Sequence, residues 1–87
     1  MKIPNKIKIK GIEFDVSFED LKDELFGDFC ELPARIRINT KASKEHQEMT
    51  LFHEITHILR SDIKEQWVKD FSWDLWNVLK DNKLLKD

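Results

Sequence analysis

The run Ser43-Lys-Glu-His-Gln-Glu-Met-Thr-Leu-Phe-His-Glu-Ile-Thr-His-Ile-Leu-Arg60 carries the strongest structural signal in the chain. From Lys44 to Arg60 it contains no glycine or proline, and Ser43 is a good N-cap, so a helix is expected there. Counting about 100° per residue from His46, His57 falls at about 20°, Thr50 at about 40°, Glu54 at about 80° and His53 at about 340°. Leu51, Phe52, Ile55, Ile58 and Leu59 fall between about 120° and 240° on the same count. One arc is therefore apolar and core-like, and the opposite arc gathers the groups that carry chemistry.

Within that run, His53-Glu54-Ile55-Thr56-His57 is a His-Glu-x-x-His motif. Residues four apart on a helix stand one turn apart on the same face. That spacing suits two imidazole ligands on one tetrahedral Zn²⁺. Glu54 is rotated away from the two rings and is placed to act on a water rather than on the metal. As general base it would take a proton from that water, whose pKa zinc lowers to about 7, and pass it to the leaving amine. With 3 histidines in 87 residues, composition alone produces the motif by chance in about 1% of such chains.

A catalytic zinc takes three protein ligands and leaves one position open. His46 is the remaining histidine, but it lies about 10 Å along the helix axis from His53. It is more simply an exposed first-turn residue, or a cleft-edge group that donates a hydrogen bond to substrate. Thr50 shares its arc. A carboxylate from the following helix is the natural third ligand. If the chain reverses near Arg60 to Asp62, Glu65 comes to face His57. Asp70 and Asp62 are weaker choices. Were Asp62 the N-cap, Glu65 would instead complete a capping-box arrangement.

Outward from this centre, Lys6 to Lys10 and Ile12 to Phe18 alternate apolar and polar residues, which indicates half-buried strands. Lys10-Gly11 between them calls for a hairpin turn or bulge. Ser17 to Phe26 reads either as a short helix ended by Gly27 or as a structured loop. Phe29-Cys30-Glu31 suggests a short strand, Leu32-Pro33 a turn, and Ala34 to Asn39 a strand at a sheet edge, where a peptide could add. A second helix is expected from Ile63 to about Lys80, with Ser61-Asp62 offering the break and a cap. Its apolar stripe is Ile63, Trp67, Val68, Phe71, Leu75, Val78 and Leu79. On that wheel Trp67 is core, Trp76 covers surface, and Trp73 lies on the polar side, where an indole either binds a partner or merely shields the surface. The tail after Asp81 is polar and expected to fray. The fold class is α+β, a small antiparallel sheet packed on a two-helix hairpin, in one domain spanning 1–87.

The charge balance is 15 Lys+Arg against 17 Asp+Glu, interleaved throughout, which argues against a nucleic-acid partner. The single cysteine, Cys30, excludes an intrachain disulfide and reads as a small buried residue. With no apolar signal-peptide core near Met1 and no run long enough to span a bilayer, the expected setting is the cytoplasm of a bacterial host.

The run Thr50 to Leu59, the helix ending Asn77-Val-Leu-Lys-Asp-Asn82, the Ala34 to Asn39 strand and the opening lysine-isoleucine hairpin resemble the ImmA/IrrE-type zinc metallopeptidases of phages and prophages. That resemblance implies a minimal, gluzincin-type zincin fold, a Zn²⁺ cofactor, Glu54 as general base and an acidic third ligand on the next helix, at the position of Glu65. It also implies a zinc-dependent endopeptidase acting on a cytoplasmic protein or peptide, such as a phage or host regulator. The chain departs from larger members in having no tyrosine, so His46 or the metal would have to stabilise an oxyanion. The competing reading is a non-catalytic binding module that keeps the metal site.

Overall fold

The computed structural model describes residues 1–22 and 25–86. Positions 23 and 24, within the stretch expected as helix or loop, and position 87, in the polar tail, lie outside the described residues. Four strands precede two helices: β1 (Lys6–Ile9), β2 (Ile12–Glu19), β3 (Gly27–Glu31), β4 (Ala34–Asn39), α1 (Lys44–Leu59) and α2 (Glu65–Asp81). The class is α+β, and the sheet order is β1-β2-β4-β3.

β1 and β2 form an antiparallel hairpin in which Ile9 pairs with Ile12. Only Lys10 and Gly11 lie between them, both with positive φ (52° and 80°), as the tight two-residue turn requires. Glycine adopts that torsion without penalty, which explains Gly11.

The sheet is mixed, not antiparallel as expected. After Glu19 the chain crosses the end of the sheet to its far side, leaving room for one strand. β3 then runs back along the outer edge, and β4 turns into the gap, antiparallel to β3 and parallel to β2. The strand Ala34–Asn39 is therefore interior, and β3 is the edge. Ile36 and Ile38 of β4 are completely buried, which makes β4 the centre of the core. Arg37 of β4 donates from Nε to Asp28 Oδ1 at 2.8 Å and forms a second contact with Asp28 Oδ2, tying β4 to β3. No helix occurs among the described residues of 20–26. Asn39 holds that crossing instead, donating from Nδ2 to the carbonyls of Lys22 and Leu25 at 2.9 Å each. Gly27 opens β3 rather than ending a helix.

One face of the sheet packs on α1. Ile9, Phe14, Val16, Ile36, Ile38 and Leu51 form the core, with Ile55 and Ile58 against it. Ser43 caps α1 as expected, its Oγ accepting from the His46 amide at 3.2 Å. Cys30 is half-buried on the edge strand rather than buried. None of the described helices is long and apolar enough to cross a membrane.

α2 touches α1 and no other element. It starts at Glu65 behind Lys64, not behind Asp62, and has no side-chain cap. Its buried residues are Val68, Ser72 and Trp76, whereas Trp67 is 69% exposed, Phe71 49% and Val78 55%. The helix is thus turned about 90° from the setting its apolar stripe implies. Trp67 is not core, and Trp76 is not surface cover. The reason is polar: α1 presents the buried carboxylate of Glu48, and Trp76 Nε1 donates to it at 3.0 Å. The Met1 ammonium takes the other oxygen, Oε2, at 3.1 Å, and a phenylalanine, having no donor, would leave Oε1 unpaired.

This setting predicts opposite outcomes for two tryptophans. Trp76→Ala should cost about 3–5 kcal/mol. Trp67→Ala should cost less than about 1 kcal/mol, as an exposed change does. Urea unfolding at constant slope measures both. Equal losses would mean that the apolar stripe, not the Trp76 face, lies on α1.

Candidate metal centre

The arc of α1 that carries its histidines forms the base of a cleft. Edge strand β3 makes one wall and α2 the other. On the strand side, Phe29 stacks on His57 with ring centroids 6.3 Å apart. Gly27 packs so tightly on α1 that a Cβ there would lie 2.5 Å from Thr50 Cγ2 and 2.7 Å from the Arg37 carbonyl oxygen. Only glycine permits this approach. The cleft arc of α1 is consequently not open surface: Thr50 and Glu54 are buried, at 2% and 6% exposure.

On the helix side, Glu65 reaches both imidazoles. Its Oε1 lies 2.8 Å from His53 Nε2 and its Oε2 lies 2.7 Å from His57 Nε2. The two Nε2 atoms are 3.1 Å apart. Among the described residues, His53, His57 and Glu65 are the one group of His, Cys, Asp or Glu side chains close enough together to hold a metal ion. Four Lewis-base atoms this close need protons or a cation between them. A tetrahedral zinc with nitrogen and oxygen ligands at about 2.0–2.2 Å would separate its donors by about 3.3–3.6 Å. The present spacing reaches that with an outward movement of about half an ångström. The donor set, two imidazoles and a carboxylate, therefore fits zinc, and it is the set used where a fourth position stays open.

Electrostatics agree with that fit. Burial pushes the His53 imidazole below its ordinary pKa, against the opposing pull of Glu65, which favours the neutral form that ligates metals. Burial also pushes the Glu54 carboxyl up, from 4.5 to about 7, with Glu65 and Asp28 adding to the effect.

The remaining sequence candidates fall elsewhere. Asp62 is held by Arg60 in a two-point pair at 3.0 and 2.8 Å, which draws its carboxyl down to about 2. Asp70 accepts from Gln66 at 3.0 Å. With α2 starting behind Lys64, the capping-box role of Glu65 does not arise. His46 is neither free surface nor near the cluster. It stacks on Phe26 at 4.8 Å and meets the edge of Trp73 at 5.0 Å. Thr50 Oγ1 is buried without a hydrogen-bond partner. Sequence reasoning missed the parts of Leu25, Phe26, Met49 and Trp73 in the cleft. Trp73 on the polar side of its helix was the one available signal. Comparison with protein-family models, curated proteins and solved structures returned no match.

The Glu54 carboxyl sets a pH dependence in chelator-treated protein. An acid whose folded-state pKa is raised favours the native state below the unfolded value, and that contribution is lost as pH rises through about 7. Glu54→Gln removes the cost of ionising this group, so its melting temperature should gain on the wild type between pH 5 and pH 8, by up to about 3 kcal/mol of stability. A gain equal at both pH values would show that the Glu54 carboxyl does not titrate in this range.

Proposed function

We propose that the chain is a zinc-dependent endopeptidase of minimal zincin type, related to the ImmA/IrrE-type metallopeptidases and acting on a cytoplasmic protein such as a phage or host regulator. The observation that carries this reading is the convergence of His53, His57 and Glu65, two elements supplying three donor atoms to one point.

His53 and His57 would hold the ion from α1, and Glu65 would close the set from α2. Zinc bound there would supply Lewis-acid chemistry toward a carbonyl and a water. Glu54 lines the same cleft and is the general base and acid: its carboxylate takes the proton of the attacking water and returns it to the departing amine nitrogen. Burial of Glu54 keeps bulk water from competing for that proton. Phe29, stacked beside His57 at 6.3 Å, limits the orientation of that ring.

A second reading, a binding module that retains the metal without turnover, draws on one observation. The chain has no tyrosine, and His46 is committed to Phe26, Trp73 and the Ser43 hydroxyl, 3.1 Å from its Nδ1. An oxyanion would then depend on the ion alone.

Zinc content and cleavage separate the readings. The wild type should retain one equivalent of zinc, and His53→Ala and Glu65→Ala should lose it. Against an unfolded protein substrate, Glu54→Gln should keep zinc but lose about 10²–10⁴-fold in cleavage rate. Cleavage undiminished in Glu54→Gln would remove Glu54 as the base. One bound zinc with no cleavage of any substrate would select the binding module.

A further inference from the structure

Beside the His53–His57–Glu65 cluster lies a cavity of about 340 Å³, at the small end of ligand-binding pockets. It extends along α1 away from His57, toward His46. Its walls come from three separate places: Leu25 and Phe26 where the chain enters β3, Met49 on α1, and Trp73 on α2. Glu54 and His53 line it too, so the cavity opens directly onto the atoms assigned to catalysis.

Its composition is selective. The aromatic surfaces are organised: Phe26, His46 and Trp73 form a continuous wall, stacked at 4.8 Å and then edge-on at 5.0 Å. Trp73 is held in turn against Trp76 at 5.8 Å, edge-on. Trp76 is anchored by Glu48, so the wall is set before any ligand arrives. Lys69 is the one cation in the lining, and its side chain is exposed. Glu54 and Glu65 stand at the cluster end of the lining, so apart from exposed Lys69 no cationic side chain is there to receive an acidic group. Close packing of Gly27 on Thr50 brings the start of β3 against α1 where both line the cavity.

We propose that this cavity receives a large apolar side chain of the substrate, preferentially an aromatic one, from a residue flanking the bond to be cut. This rests on the peptidase reading above for the orientation of substrate, while the cavity itself does not. An aromatic ring gains both area burial and ring-edge contacts against Phe26 and Trp73. A small side chain leaves the walls unfilled, and an acidic one gives up its hydration to apolar walls with no cation beside it but exposed Lys69. Phe26 and Trp73 are then the residues that set specificity.

The test offers the zinc-loaded chain three N-acylated amino-acid hydroxamates, of phenylalanine, alanine and aspartate, with binding followed by calorimetry. The phenylalanine compound should bind at least about tenfold more tightly than the alanine one, and the aspartate compound more weakly than either. In Phe26→Ala and in Trp73→Ala the phenylalanine-to-alanine ratio should fall toward one, while affinity for the alanine compound, set by chelation, stays as it was. Phe26 is 49% exposed, so its truncation leaves the fold intact even where that of Trp73 does not. Equal affinities for the phenylalanine and alanine compounds in the wild type would overturn the proposal. Should the chain retain no zinc, the metal reading fails, and the cavity is decided separately. N-acetylphenylalanine amide and N-acetylalanine amide, at millimolar concentration, are then added to chelated protein labelled for NMR. Shifts at the Trp73 indole and the Gly27 amide with the first and not the second sustain the cavity; no difference between them overturns it.

Discussion

A single carboxylate at the start of α2, Glu65, lies against two imidazoles one turn apart on α1, and this contact governs the arrangement of the helical half of the molecule. To place Glu65 there, α2 must present the face that also holds Val68, Ser72 and Trp76. One side of its apolar stripe, with Trp67, Phe71 and Val78, is then directed away. The helix gives up burial of Trp67, Phe71 and Val78, which hydrophobic packing alone would favour. Trp76 compensates in part by donating to Oε1 of the buried Glu48, whose Oε2 takes the Met1 ammonium at 3.1 Å. Polar pairing at two points thus outweighs the tendency of the apolar stripe to turn inward.

The opposite wall obeys a steric constraint rather than an electrostatic one. Edge strand β3 approaches α1 as closely as backbone and a threonine methyl allow, because position 27 carries no side chain. The cleft between these walls is lined on its base by α1 and is dry enough to displace the Glu54 carboxyl toward neutrality. The same enclosure that shields Glu54 shapes the cavity beside it. Electrostatics and shape in this region are therefore two results of one packing arrangement.

Much of this was legible in the residues, for reasons that differ by element. The period-two runs in β1, β2 and β4 reflect burial on one sheet face, and the histidine spacing reflects the helical repeat; both are local signals. Glu65 was accessible because a short connection after α1 limits which residues can return to His57. The direction of β4 was not legible. It depends on the chain crossing from β2 to the outer edge before β3 forms, and nothing local in Ala34–Asn39 records that. The reading of Trp67 as core and Trp76 as surface failed for a related reason. A helical wheel weighs apolar residues only, whereas α2 is oriented by Glu65 and by an indole N–H. Of the two alternatives for Ser17 to Phe26, the helix ended by Gly27 fails because the roles of Gly27 and Phe26 depend on contact with Thr50 and His46, far away in sequence. Each error falls where a long-range polar or steric contact overrode a local pattern.

That α2 rests on α1 alone has a consequence for how the molecule opens. The sheet and α1 share one apolar core, so their backbone amides exchange with solvent only when that core comes apart. α2 can detach as a unit without disturbing it, a sub-global opening of lower free energy. Such an opening carries Glu65 away from the two imidazoles and exposes Trp76. An ion shared between the helices would oppose it, which makes cation binding and the docking of α2 one thermodynamic event.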